Sequence, residues 1–152
     1  MIQIQVRPYY RNKIPLGTVS AAAELALQKC QSKEVIVGIL ITGDAEIHAL
    51  NREYRSMDKP TDVLSFNGNY MDPESGLEYL GDIIISVPRA KKQASVGGHS
   101  SEQEIQLLVI HGILHLSGFD HDTPARQKIM WKVQAELLNE IHNPLSGSFL
   151  TN

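Results

Sequence analysis

Hydrophobic and polar positions change their rhythm several times along the chain, and each change predicts an element. Ile2, Ile4 and Val6 alternate with Gln3 and Gln5, the period of two that marks a half-buried strand. Leu16 to Gln31 reads as a helix, with Leu25 and Leu27 among helix-favouring alanines. Glu34 to Thr42 (EVIVGILIT) is almost continuously apolar and β-branched, the signature of a strand covered on both faces. Asp44 is placed to cap a helix reaching about Arg55, and Pro60 forbids its easy continuation. Asp62 to Phe66 predicts a third strand, 67–81 a turn-rich acidic loop or hairpin, and Asp82 to Val87 a fourth strand. Pro88 opens a short helix through Ala94 that Gly97 and Gly98 stop.

The C-terminal third is helical in pattern. Ser101 and Glu104 form a capping-box pair for a helix to about Ser117, which Gly118 ends as a C′ glycine. Thr123 and Pro124 start a last helix to about Ile141, with Ile129, Val133, Leu137 and Ile141 along one stripe. The polar tail, 143–152, is expected to fray. Strands and helices interleave, so the expected fold is a single α/β (α+β) layered domain over residues 1–152, with a small four-stranded mixed sheet and about five helices.

Composition adds exclusions. The chain has 152 residues, enough for a hydrophobic core without covalent staples. Cys30 is the only cysteine, which rules out an intrachain disulfide and a Cys-rich zinc module. It shares an apolar helix face with Ala26 and Leu27 and reads as a small hydrophobe. MIQIQVRPYY lacks the features of a signal peptide, and no apolar run approaches the ~20 residues of a membrane span, so a cytoplasmic location without membrane contact is expected. The net charge of −3 argues mildly against a generic nucleic-acid binder. Residues 1–57 are nonetheless locally basic, whereas 58–82 hold Lys59 as their single cation.

The chemistry concentrates in His111-Gly-Ile-Leu-His115-Leu-Ser-Gly118-Phe-Asp-His121. On a helix, positions i and i+4 lie on one face about 6 Å apart along the axis. Two imidazoles so placed converge on one tetrahedral ion, and the break at Gly118 lets His121 enter from another direction. Three neutral nitrogen ligands leave a fourth position open, which is a catalytic arrangement, with zinc the default and other first-row divalent ions compatible. The spacing matches the zinc-protease signature H-E-x-x-H-x-x-G-x-x-H except that Gly112 stands where the water-activating Glu belongs. That absence argues against peptide hydrolysis. His48, His99 and His142 show no such partners, and surface or capping roles are expected for them. Asp120 or Asp122 could orient an imidazole, or Asp122 could belong to the start of the next helix. Asp62 and Asp82 read as turn residues. Arg89, Lys91 and Lys92 form either a phosphate contact or a solvated helix face.

With glycine at that position, HGILHLSGFDH resembles the signature of the YbeY family of bacterial endoribonucleases. LNREYRSMDKPTDVLSF (50–66) and GDIIIS (81–86) resemble its other motifs, and the likeness spans about Ile36 to Leu138. The resemblance implies a four-stranded mixed sheet with a zincin-like metal site on a central helix. It also implies single-strand-specific RNA cleavage in maturation of the 16S ribosomal RNA 3′ end and in ribosome quality control. Under it His111, His115 and His121 are metal ligands and Arg55 is the functional arginine. Small-subunit components and an assembly GTPase would be the partners. A guanidinium can grip phosphoryl oxygens as a fork, and RNA brings its own 2′-hydroxyl nucleophile. Two rivals remain: a metal-dependent peptidase or amidohydrolase, and a non-catalytic ribosome-assembly factor whose metal is structural.

Overall fold

The β-branched run after Glu34 becomes strand β2 (Val35–Thr42), buried along almost its whole length because helices cover both faces. Strand β1 (Ile2–Val6) lies parallel to it at one edge, with Ile2 opposite Val37 and Val6 opposite Ile41. Helix α1 (Leu16–Cys30) makes the crossover between them, and helix α2 (Asp44–Arg55) comes after β2. Strands β3 (Val63–Met71) and β4 (Glu78–Ser86) form an antiparallel hairpin whose second strand pairs in parallel with β2. The sheet order is β1-β2-β4-β3, so β3 is an edge. Helices α3 (Val87–Gly97), α4 (Ser101–Leu116) and α5 (Pro124–Glu140) complete the expected α/β layers of four mixed strands and five helices. This computed structural model describes residues 1–149. The final three residues of the tail expected to fray lie outside the described residues.

The main core forms on one face of the sheet, where Val37, Ile39, Ile41, Ile83 and Ile85 meet α1 and α4. Ile105, Val109, Ile110, Ile113 and Leu114 make α4 nearly all-round apolar, as a central helix must be. A smaller cluster, Ile47, Leu64 and Ile84, sits under α2 on the opposite face. Gly112 explains how α4 comes so close to the sheet: a Cβ there would lie 3.0 Å from three carbons of Ile83. Among the described residues, no helix is long and apolar enough to cross a membrane.

Several boundaries differ from expectation. Of the loop or hairpin expected over 67–81 the hairpin is found, with β3 running past Phe66 to Met71, β4 starting at Glu78 ahead of Asp82, and an irregular register between Asn67 and Tyr70. The capping box at α4 uses Ser100 and Gln103, not Ser101 and Glu104. Glu104 is buried and bonds His99 at 2.6 Å, so His99 is a mostly buried partner instead of a surface group. Gly43, not Asp44, occupies the N-cap of α2, and Asp44 accepts the Ser86 hydroxyl at 2.6 Å. On α5 the buried stripe is Met130, Gln134, Leu137 and Leu138, whereas Ile129 faces solvent. The tail begins with a buried Asn143 that donates to Gln103 and Gln106 and leads into a 3₁₀ turn, Pro144–Phe149.

Candidate metal centre

Helix α4 carries His111 and His115 one turn apart near its C-terminal end, with their Nε2 atoms 3.0 Å from each other. Gly118, at φ +100°, supplies the left-handed turn that ends the helix. The amides of Gly118 and Phe119 close a Schellman arrangement on the carbonyls of His115 and Leu114. The reversal brings His121 back over the pair, its ring centre 5.7 Å from that of His111 and 5.1 Å from that of His115. One ring nitrogen from each of the three lies within 4.8 Å of the others. No carboxylate or thiolate joins this set among the described residues.

The two half-buried imidazoles on α4 are oriented from behind. His111 Nδ1 lies 2.9 Å from Oε1 of Gln134 on α5, and His115 Nδ1 lies 3.1 Å from the carbonyl of Phe119. Both partners accept, so both Nδ1 atoms carry the proton and both Nε2 atoms present lone pairs. Two lone pairs facing each other at 3.0 Å repel unless a cation sits between them. The donor set therefore fits a metal ion of the kind held by imidazole. Burial pushes the His111 pKa down to about 4, helped by the neighbouring His115. Burial, and then the charge of His121, also lowers His115, while Asp120 opposes the shift. Both rings are thus uncharged near neutral pH, which is the coordinating form.

Arg55 comes to the same place from another element. Helix α2 ends at Ser56 in the left-handed region (φ 56°), where the amides of Ser56 and Met57 bond the Asn51 carbonyl. The buried Asn51 side chain donates to the Lys59 carbonyl at 2.9 Å and so holds the loop between α2 and β3. Arg55 donates from Nη2 to the Ser65 carbonyl, and its Cζ lies 5.1 Å from the centre of the Phe66 ring. A cleft of about 660 Å³ is lined by Arg55, Asn51, Asp62 and Ser65 together with all three histidines.

Sequence reasoning missed three of these residues. Gln134 was detectable only as a polar position on an otherwise apolar stripe, and Asn51 only as an amide near the end of a helix. Asp62, read as a turn residue, faces the cleft, and its charge favours the protonated form of His111. Its Oδ1 accepts from the Val63 amide at 2.8 Å and the Thr61 hydroxyl at 3.2 Å. Asp120 accepts from the His121 amide and stands 4.0 Å from His115 Nδ1. Asp122 pairs with Arg126 on α5, whose N-cap is Thr123, so it belongs to the helix start. Arg89 reaches Asp44 at 3.5 Å, and Lys91 and Lys92 are solvated. His48 pairs with Asp58.

Fold and site together define a layered α/β protein with a three-histidine centre open to a cleft. The chain belongs to the endoribonuclease YbeY family, whose model matches residues 10–142. It is 40% identical over 149 residues to an endoribonuclease YbeY of Brevibacillus brevis, covering 90% of this chain and 92% of that one. A Roseiflexus sp. endoribonuclease YbeY is 42% identical over 147 residues, covering 92% of each chain. The solution structure of a Thermotoga maritima protein superposes with a TM-score of 0.61 at 28% identity, covering 97% of this chain and 95% of that one.

Proposed function

We propose that this chain cuts single-stranded RNA in the cleft between Arg55 and the three histidines. Family membership makes it an RNA-cleaving hydrolase with a role in ribosomal RNA processing. The observation that carries the finer reading is the shared cleft, in which a fixed guanidinium stands with a three-imidazole donor set. His111, His115 and His121 would hold one divalent ion, with zinc the first choice. Bound there, the ion would supply Lewis-acid stabilisation of phosphoryl charge and lower the pKa of a coordinated water.

The chain's own groups do the positioning. Arg55 grips non-bridging phosphate oxygens with donors fixed in a plane, and its carbonyl and ring contacts hold that plane in place. Gln134 and the Phe119 carbonyl hold the Nδ1 protons of His111 and His115, keeping their Nε2 lone pairs aimed inward. The place where a protease carries its base is packed against Ile83, so a side chain at 112 has no way into the cleft. RNA brings its own 2′-hydroxyl as a nucleophile, in place of the water that the protease glutamate activates.

Action on the 16S 3′ end, ribosome quality control, small-subunit and GTPase partners and a cytoplasmic location are part of this proposal. The peptidase reading loses its base. The reading with a structural metal would need a fourth protein ligand, and none joins the three imidazoles among the described residues. The test is zinc-loaded protein on single-stranded RNA beside His115→Ala and Arg55→Glu. The expected result is cleavage by the wild type alone. Equal cleavage by all three would mark a contaminating nuclease and sink the reading.

A further inference from the structure

A second concavity lies on the sheet face opposite α4. Helix α2 covers part of that face, its Ile47 clustering with Leu64 and Ile84 of the sheet. Beside it a groove of about 440 Å³ opens between Leu40, Leu50, Tyr54, Phe66, Asp82 and Ile84. Leu50 and Tyr54 stand one turn apart on α2 and face the groove together. Tyr54 is 61% exposed, and its ring meets Phe66 edge-on at 5.6 Å. An exposed tyrosine beside a half-buried phenylalanine leaves aromatic surface open to a flat apolar partner.

The groove and the metal cleft meet across the edge strand. Successive residues of β3 point to opposite faces, so Ser65 lines the cleft and Phe66 the groove. Arg55 touches both: it donates to the Ser65 carbonyl while its guanidinium lies by the Phe66 ring. A strand whose phosphate were held at Arg55 would therefore bring an adjoining base to the mouth of the groove.

We propose that this groove receives one unpaired nucleobase of the RNA strand, against Tyr54 and Phe66 and next to the phosphate at Arg55. The inference rests on the nuclease reading of the metal cleft. The Asp82 carboxylate, which accepts from the Tyr79 hydroxyl, repels a phosphate but accepts hydrogen bonds from base amino and imino groups. A base thus fits better than backbone. In a duplex the bases are stacked and paired, so the groove admits only a single strand, which gives single-strand preference a physical source. An apolar protein segment would match the groove's polarity, but it gains nothing from the link through Arg55.

The test uses zinc-loaded wild type, Tyr54→Ala and Tyr54→Phe. One readout is kcat and KM on single-stranded RNA. The other is the fluorescence of single-stranded oligodeoxynucleotides carrying 2-aminopurine at each position in turn. Stacking on an aromatic side chain predicts a KM raised roughly 5- to 150-fold in Tyr54→Ala, with kcat little changed. One 2-aminopurine position should be quenched by wild type and Tyr54→Phe and not by Tyr54→Ala. Unchanged zinc content and thermal midpoint would show that the alanine variant is folded. If wild type cuts RNA and Tyr54→Ala matches it in KM and quenching, the base site is overturned, the groove passes to a protein partner, and the nuclease reading stands. If wild type cuts no RNA, the nuclease reading itself falls.

Discussion

His111 Nδ1 and Gln134 Oε1 lie 2.9 Å apart, so a buried amide on α5 sets the tautomer and the direction of an imidazole on α4. Replacing Gln134 with Leu removes the acceptor and strands the His111 N–H. Zinc affinity should fall about 10- to 100-fold, the usual effect of losing such an orienting partner. Competition against a chromophoric chelator reads this directly. An unchanged dissociation constant would mean that His111 is oriented by packing alone.

Gly112 faces Ile83, not the cleft. Restoring the protease glutamate through Gly112→Glu should therefore create no peptidase. It should bury a carboxylate against the sheet and cost several kcal/mol, on the order of what unpaired polar burial costs. Thermal unfolding and soluble yield would report the damage. A stable variant that hydrolyses peptides would show that position 112 reaches the cleft after all.

Arg55→Lys keeps the charge but loses the planar fork and the fit over Phe66. Cleavage of single-stranded RNA should drop about 100-fold, as when one fixed donor to a developing oxyanion is lost. Zinc binding should be untouched. Retention of more than half the wild-type kcat/KM would reduce Arg55 to a surface charge.

The His111 pKa of about 4 also makes a stability prediction. In the unfolded chain its pKa is the ordinary 6.5, so between these values the unfolded state binds a proton that the folded state refuses. Metal-free protein should be fully stabilised above pH 6.5 and weaken as the pH falls towards 4. The loss should be on the order of 3 kcal/mol from this group, with His115 acting in the same direction. Denaturant melts of chelator-treated protein across that range would check it. A flat profile would place His111 in solvent.

The sequence was most informative where burial is complete. The run 34–42 on β2 and the apolar positions of α4 were legible because both are covered all round. How far the hairpin strands run into 67–81 was hidden because β3 is an edge whose distal residues, such as Tyr70 and Met71, face solvent and need no alternation. The capping box slipped by one residue because two serines compete for the role, and Glu104 turns inward to His99. The spacing of the three histidines is local to a single turn of chain and could be read directly. Gln134 and Asp62 reach the same centre from elements far along the chain, and only tertiary packing brings them there.

The turn at Gly118 has one more consequence. An ion shared by His111 and His121 would close a ring of eleven residues, and Gln134 extends its hold to α5. In a chain with a single cysteine, such an ion would be a reversible substitute for a disulfide, tightened or released by its free concentration. Metal starvation would then shorten the lifetime of the folded molecule as well as silence it, coupling its abundance to supply.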